Sequence, residues 1–120
     1  MKKRISVAQI GVGYWGPNLL RNLVASQSVN VKKVVDFSRD RRDYVSGLYP
    51  AVSVTDKAEE VFSDPDIQAV VIATPVATHF GLVMQALNAG KHVLVEKPMA
   101  TSEEEMAKIG ELAGEKNLVR

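Results

Sequence analysis

The stretch that decides the fold is Ile5-Ser-Val-Ala-Gln-Ile10 followed by Gly11-Val12-Gly13-Tyr14-Trp15-Gly16. The first six residues are mostly apolar and β-branched, which predicts a strand, and the apolar spacing of residues 17–25 predicts a helix. Three glycines spaced G-x-G-x-x-G between a strand and a helix are typical of a turn that binds phosphate. The glycine pattern alone is weak, and its position directly between these two elements gives it weight.

Each glycine of this turn has its own predicted task. Gly11 permits the tight turn, Gly13 lets the backbone approach a pyrophosphate, and Gly16 allows the helix to pack closely on the strand. The backbone N–H groups of Tyr14 and Trp15 lie at the start of the helix, where the helix dipole also favours negative charge. We therefore expect these two residues to contact phosphate through their backbone. Alternatively, their aromatic rings pack on the sheet edge or against another domain.

Asp36 lies at the end of the next predicted strand, twenty residues after Gly16. A carboxylate at that point can accept hydrogen bonds from both ribose hydroxyls of an adenosine, which favours NAD. The alternatives for Asp36 are a surface residue or a cap of the following helix. NADP would need a cation here, and Arg39, Arg41 and Arg42 lie nearby, but the carboxylate would repel a 2′-phosphate. We expect NAD, with NADP less favoured.

The rest of the chain alternates short strands with helices. Strands are predicted at residues 31–35, 51–54, 68–73 and 92–96, and helices at 39–48 and 57–63, after Thr78, and after residues 101–102. Residues 68–73 are apolar on both faces, as in a central parallel strand covered by helices on each side. This alternation predicts a doubly wound α/β sheet, mostly parallel and with three layers, as in the Rossmann fold. Helix caps are predicted at Thr55 or Asp56, Thr78, Thr101 or Ser102, Gly90 and Asn117.

The composition is that of an ordinary globular domain, with 120 residues, 46% hydrophobic and 24% charged. Lys and Arg total 15 against 14 for Asp and Glu, so there is no electrostatic argument for a nucleic acid or membrane partner. The sequence has no cysteine, which excludes disulfides, thiolate nucleophiles and cysteine-based metal sites. The two histidines lie on different predicted elements, so no metal is expected. No signal-peptide or membrane-spanning pattern is present, and we expect a cytoplasmic protein.

The last three residues, Leu118-Val119-Arg120, begin like another strand. We therefore interpret residues 1–120 as one dinucleotide-binding domain that is truncated at the start of its sixth strand. The alternative is that residues 118–120 form a frayed tail.

Two further predicted strands end in conspicuous segments, ATPVATH at residues 73–79 and EKP at residues 96–98. In open α/β sheets, ligands bind beyond the carboxyl ends of the strands. Together with GVGYWG at residues 11–16, these segments resemble the nucleotide-binding domain of the Gfo/Idh/MocA oxidoreductase family over essentially the whole chain. The resemblance implies a Rossmann domain followed by a larger α+β substrate domain, which is absent from this chain and through which members usually associate into homo-oligomers.

The resemblance also implies hydride transfer between NAD or NADP and a carbinol of a sugar, cyclitol or sugar nucleotide. Lys97 matches the family lysine that lies near the nicotinamide and the reacting substrate oxygen, and Glu96 and Pro98 match its neighbours. Three further residues match those that line the nicotinamide side of the cofactor: Thr74, Pro75 and His79. The family's catalytic partners in the second domain have no counterpart here, so we expect this chain to have no turnover alone.

Lys97 also has a chemical rationale that does not need the family. A lysine beside a positively charged nicotinamide meets like-charge repulsion and desolvation, and both favour its neutral amine. It could then assist proton transfer or donate a hydrogen bond to a developing alkoxide. The alternative is a solvated lysine that merely precedes a proline. His79 could only orient its loop, and Glu96 could only hold its loop closed.

Two other classes of protein are compatible with the fold. One is a non-catalytic NAD-binding or sensing module, against which EKP argues, because a sensor needs no lysine at the hydride position. The other is a Rossmann-like methyltransferase, which the full glycine spacing fits less well than a dinucleotide enzyme.

Overall fold

The computed structural model describes residues 4–13, 16–95, 100 and 102–118. Tyr14, Trp15, Glu96, Lys97, Pro98 and Thr101 therefore lie outside the described residues, and their predicted roles stay predictions. The described part contains five strands: β1 (Ile5–Ile10), β2 (Val29–Val35), β3 (Ser53–Thr55), β4 (Ala69–Ile72) and β5 (His92–Val95). Its α-helices are α1 (Gly16–Ala25), α2 (Arg39–Leu48), α3 (Glu59–Phe62), α4 (His79–Asn88) and α5 (Glu103–Glu115), and a short 3₁₀ turn at Val76–Thr78 leads into α4.

The strands form one sheet in the order β3-β2-β1-β4-β5, and every described pair is parallel. The chain runs from β1 outward to β3 and then returns to the other side of β1, so the strand order reverses between β1 and β4. Two separate apolar clusters cover the two faces of the sheet, one with α1 and α2 and one with α3, α4 and α5. The predicted doubly wound Rossmann fold is confirmed.

Three strands differ from their predicted bounds because pairing, and not apolar pattern, decides where they begin and end. β4 covers Ala69–Ile72 instead of residues 68–73, since these four residues are the ones paired with β1 and β5. β2 begins at Val29, before the predicted start, because Val29 and Asn30 still pair with the amino end of β1. β3 begins at Ser53 because Val52 belongs to a turn, with its N–H donating to the carbonyl of Tyr49 at 2.9 Å.

Two predicted N-terminal caps are wrong. α4 receives no side-chain cap from Thr78, whose hydroxyl donates instead to the Pro75 carbonyl at 2.6 Å. α3 receives none from Thr55 or Asp56, because Thr55 Oγ1 accepts from Lys57 N at 3.2 Å, ahead of the helix. In both cases the hydroxyl bonds a nearer backbone group, a known competitor of capping for Ser and Thr.

The other caps follow the sequence. Ser102 caps α5 by accepting from Glu105 N at 3.1 Å, which selects one of the two predicted registers. Gly90 and Asn117 each lie two residues past the end of a helix, α4 and α5, and adopt positive φ angles of 79° and 54°. The following N–H of Lys91 reaches back to Ala86 O at 2.9 Å, and that of Leu118 to Ala113 O at 2.9 Å, so both helices end in a Schellman motif. Leu118 thus closes α5, and a strand beginning at residues 118–119 stays a prediction.

An ionic cluster lies away from the carboxyl ends of the strands and ties β2 to the loop before β4. Lys32 Nζ contacts Asp64 Oδ2 at 2.7 Å and Asp66 Oδ2 at 3.3 Å, and buried Lys91 donates to the Asp64 backbone carbonyl at 2.5 Å. The hydrogen bond from Lys32, with a further one from the Asp66 backbone, holds the pKa of Asp64 below its usual value, and the Asp64 carboxylate in turn raises the pKa of Lys32. None of the described helices is long and apolar enough to cross a membrane.

We expect Lys32→Met to lower the midpoint of thermal unfolding at pH 7. The pKa of Asp64 is lower in the folded than in the unfolded chain. The contact between Lys32 and Asp64 therefore stabilises the fold fully above pH 3.8, the usual pKa of an aspartate, and this stabilisation disappears as the pH falls through the lower pKa of the folded chain. The midpoints of parent and variant should therefore converge in acid. Lys108→Met is the matched control, because the pair of Lys108 with Glu104 is exposed and its atoms are 3.7 Å apart. A Lys32→Met deficit that persists in acid would contradict this assignment.

Candidate functional site

A cleft of about 490 Å³ opens at the carboxyl ends of β1, β2 and β4, where the strand order reverses. This is the position at which doubly wound sheets bind ligands. The cleft is lined by Ile10, Gly11, Gly13, Val35, Asp36, Phe37, Ala58, Ala73, Thr74, Pro75, Thr78 and Leu82. Most of these side chains are apolar, and the polar groups come from the segments that follow the three strands.

A row of backbone hydrogen bonds extends the sheet past the carboxyl ends of its strands at this cleft. The first residue after each of β4, β1 and β2 still donates to the neighbouring strand: Ala73 N to Ile10 O at 2.8 Å, Gly11 N to Val35 O at 2.7 Å, and Asp36 N to Thr55 O at 3.0 Å. The three segments that carry the candidate site residues are therefore aligned side by side.

Gly11 and Gly16 are required by the packing of the protein itself. Gly11 has a φ of +94°, and a Cβ there would lie 2.7 Å from the Ala73 carbonyl oxygen. At Gly16, a Cβ would lie 2.9 Å from the Gly11 carbonyl oxygen. The predicted roles of a tight turn at Gly11 and close packing at Gly16 agree with this geometry.

Gly13 differs from the other two glycines of the turn. No described atom lies within 4 Å of a Cβ built at Gly13, and its φ is not in the left-handed region. Nothing in the described packing therefore needs a glycine here. Because Gly13 lines the cleft, the missing side chain leaves space for a ligand to approach the backbone, as the sequence predicts.

The Asp36 carboxylate joins the end of β2 to the glycine turn. Its Oδ2 accepts from Val12 N at 2.9 Å and its Oδ1 from Ser38 N at 2.9 Å. Each oxygen keeps a further lone pair for a ligand hydroxyl, since a carboxylate offers about four acceptor sites in all. Asp36 does not cap α2, a task that Ser38 performs by accepting from Arg41 N at 3.4 Å.

The three arginines near Asp36 are not gathered into an anion site. Arg42 Nη1 donates to the backbone carbonyls of Asp36 and Phe37 at 2.8 and 3.0 Å. Arg39 lies 4.0 Å from Asp43 on the exposed surface of α2. No arginine is among the residues that line the cleft.

Two hydroxyl groups form a directed pair on the β4 side of the cleft. Thr78 Oγ1 donates its single hydrogen to the Pro75 carbonyl at 2.6 Å, so the 2.6 Å contact between the two threonine hydroxyls must be donated by Thr74. The hydroxyl oxygen of Thr74, Oγ1, consequently offers only lone pairs to the cleft. It is suited to a ligand that donates a hydrogen bond, such as an amide NH₂ or a hydroxyl.

His79 is buried, and its Nε2 lies 2.8 Å from the Thr74 carbonyl oxygen. Because a carbonyl only accepts, Nε2 carries the hydrogen in this contact. The contact holds the loop after β4, as the loop-orienting alternative expects. His79 is not among the residues that line the cleft, so direct contact with a cofactor stays a prediction.

The structure thus brings five of the predicted cofactor-binding residues to one cleft, and Gly16 and His79 support that cleft from behind. Sequence reasoning missed three features of the site. They are the exposed ring of Phe37 at the cleft, the hydrogen bonds of the Thr78 hydroxyl with Pro75 and Thr74, and the contact of Gln9 with the glycine turn. Phe37 had a signal, its place directly after Asp36. Within the described ranges, no group of three or more His, Asp or Glu side chains could hold a metal ion.

The parallel sheet with reversed strand order, the glycine turn and the acid at the end of β2 define a dinucleotide-binding domain of the Rossmann class. Residues 5–119 match the family model of the Gfo/Idh/MocA proteins, described as an oxidoreductase family with an NAD-binding Rossmann fold. The chain belongs to this family.

Known relatives share the domain over nearly its whole length. The chain is 31% identical over 122 residues to scyllo-inositol 2-dehydrogenase (NADP(+)) IolW of Bacillus subtilis, covering 99% of the chain and 34% of that protein. It is also 31% identical over 120 residues to scyllo-inositol 2-dehydrogenase (NAD(+)) of the same organism, covering 99% and 35%. The crystal structure of GenD2 from gentamicin A biosynthesis in complex with NAD superposes with a TM-score of 0.93 at 32% identity, covering 99% of the chain and 34% of GenD2. The chain spans about a third of the length of these relatives.

We expect alanine to destabilise the chain at one glycine of the turn and to have little effect at another. Gly11→Ala should lower the free energy of unfolding by about 2 kcal/mol or more, because it combines a left-handed φ with an overlap on the Ala73 carbonyl. Gly13→Ala should stay within about 1 kcal/mol of the parent, because nothing described lies near its new methyl group. Urea denaturation of both variants measures the difference, and equal losses of stability would contradict the distinction.

Proposed function

We propose that this chain is the NAD-binding domain of an oxidoreductase that transfers a hydride between the nicotinamide and a carbinol of a sugar, cyclitol or sugar nucleotide. The observation that carries the proposal is the Asp36 carboxylate, held by Val12 N at 2.9 Å beside the open space at Gly13. A pyrophosphate would approach the turn at Gly13, and the adenosine ribose would donate its hydroxyls to Asp36.

The residues of the cleft support this placement of the cofactor. The exposed ring of Phe37 offers an apolar face for adenine beside Asp36. On the other side of the cleft, the acceptor oxygen of Thr74 fits the amide NH₂ of a nicotinamide. When bound, the cofactor supplies the hydride chemistry, and the chain's residues bind and orient it.

NAD is proposed over NADP on electrostatic grounds. A 2′-phosphate would meet the Asp36 carboxylate, and Arg42 is committed to the carbonyls of Asp36 and Phe37. Relatives named for each cofactor exist, so family membership leaves this choice to the residues of the site.

The substrate class and the function of Lys97 are proposed from the relatives and from the sequence, because Lys97 lies outside the described residues. Two relatives are named as scyllo-inositol 2-dehydrogenases, which supports a cyclitol or sugar carbinol. We propose Lys97 as the catalytic residue of this chain, flanked by Glu96 and Pro98, with its partners in the second domain. A cytoplasmic location and a homo-oligomer formed through that second domain stay predictions, as does the lack of turnover by this chain alone.

Calorimetric titration of the chain with NAD, and separately with NADP, tests the cofactor assignment. We expect NAD to bind with little response to NADP, and Asp36→Ala to weaken NAD by about tenfold to a hundredfold through the loss of charge-assisted hydrogen bonds. Asp40→Ala, an exposed acid on α2, is the matched control and should bind like the parent. Preference for NADP would overturn the Asp36 assignment. If neither cofactor binds, repeating the titration with the full-length enzyme distinguishes an incomplete site from the absence of one.

Lys97→Ala in the full-length enzyme tests catalysis. The rate of hydride transfer should fall by about a hundredfold or more, as expected for the loss of a proton-transfer group, while NAD affinity changes little. Single-turnover absorbance of the reduced nicotinamide measures the rate. Lys108→Ala, on the exposed side of α5, is the control. An unchanged rate would contradict the assignment of Lys97 as the catalytic residue.

A further inference from the structure

Gln9 is an unusual residue for the centre of this sheet. It lies in β1 between two neighbouring strands, its relative exposure is 0%, and its flanking residues Ala8 and Ile10 are apolar core residues. Side chains alternate across a strand, so Gln9 shares the face of Val7, which packs in the cluster on the α1 side of the sheet. An apolar residue would be the ordinary occupant of such a position.

The Gln9 carboxamide joins the two ends of the glycine turn. Its Nε2 donates to Gly11 O at 2.9 Å and to Gly16 O at 2.9 Å. Both amide hydrogens are therefore used on the carbonyls of the first and last glycines of the motif. The close approach of Gly16 to Gly11, where a Cβ would lie 2.9 Å from the Gly11 carbonyl oxygen, allows one nitrogen to reach both carbonyls.

The same side chain carries a cost that its packing does not explain. Gln9 Oε1 is buried and has no hydrogen-bond partner in the described part of the chain. A buried carbonyl without a partner is unfavourable, and an apolar side chain would avoid the loss. The double donation from Nε2 is what glutamine provides here and an apolar residue cannot.

We propose that Gln9 is a positioning residue for the phosphate-binding turn. By holding the carbonyls of Gly11 and Gly16 on one nitrogen, it fixes the first and last glycines of the turn and keeps these two carbonyl oxygens from facing a bound pyrophosphate. This inference rests on the proposed function, because it assigns Gln9 to the same cofactor site without placing it in contact with the ligand.

Gln9→Met tests the inference, because it preserves length and approximate volume and removes both donors. We expect the dissociation constant for NAD to rise by about tenfold, as for the loss of two ordinary hydrogen bonds. Val7→Ala is the matched control: it lies on the same face of β1, is buried, and makes no contact with the turn through a polar atom. Both variants should unfold at lower urea, and Val7→Ala should retain parental affinity. A Gln9→Met protein that binds NAD as the parent does would overturn the inference.

Amide hydrogen exchange provides a readout that needs no cofactor. In the parent, Gly11 N is bonded to Val35 O at 2.7 Å and Val12 N to Asp36 Oδ2 at 2.9 Å. Gln9→Met should accelerate exchange at these two amides by about tenfold while the amides of β4 keep their parental rates. Unchanged rates would overturn the inference even if NAD binds to neither protein, an outcome that would by itself count against the proposed function.

The parent protein supplies a third measurement, which stands if Gln9→Met does not fold. The two Nε2 hydrogens of Gln9 should give separate nuclear magnetic resonance signals that exchange slowly with water, because both are buried and bonded. Rapid exchange of either signal would contradict the double donation.

Discussion

The site depends on the row of three hydrogen bonds that continues the sheet past the ends of its strands. Ala73, Gly11 and Asp36 each donate to the neighbouring strand, and this places the β4 loop, the glycine turn and the acid side by side. The spacing of parallel strands is fixed by the ladder, so the turn has only as much room as the adjacent backbone leaves. At Gly11 that room does not admit a Cβ beside the Ala73 carbonyl. The glycine is thus a consequence of parallel pairing before it has any part in binding.

The two sides of the cleft are organised on different principles. On the β2 side, a charge is fixed by backbone N–H groups from Val12 and Ser38, which prepares Asp36 to accept from a ligand without rearrangement. On the β4 side, Thr78 uses its hydrogen on a backbone carbonyl, and Thr74 is left as an acceptor. Both sides therefore offer acceptors, which suits a ligand with hydroxyl or amide donors at its two ends and its anionic group at the turn between them.

Features that depend on neighbours in sequence could be predicted from it. The strands follow from apolar runs, the glycine turn and Asp36 from spacing, and the helix ends at Gly90 and Asn117 from residues that tolerate a positive φ. Features that depend on neighbours in space could not. The sequence does not reveal that the Thr78 hydroxyl meets Pro75 and Thr74 instead of capping α4, or that Gln9 reaches across the turn. Lys97 is predicted only through the joint pattern of three segments, since a lysine before a proline has no distinguishing local signal, and its role stays a prediction.

The position of β1 also affects how the chain is made. β1 lies at the centre of the sheet, yet its partner β4 ends roughly 60 residues further along the chain. At about 5–20 residues per second, a ribosome needs several seconds to synthesise that interval. During this time, β1 is an edge strand. The side of β1 that will pair with β4 has unsatisfied backbone groups, and β1 itself is largely apolar, a combination that favours pairing with other chains. Aggregation during synthesis is therefore the characteristic hazard of this topology, and it is greatest before the second half of the sheet has emerged.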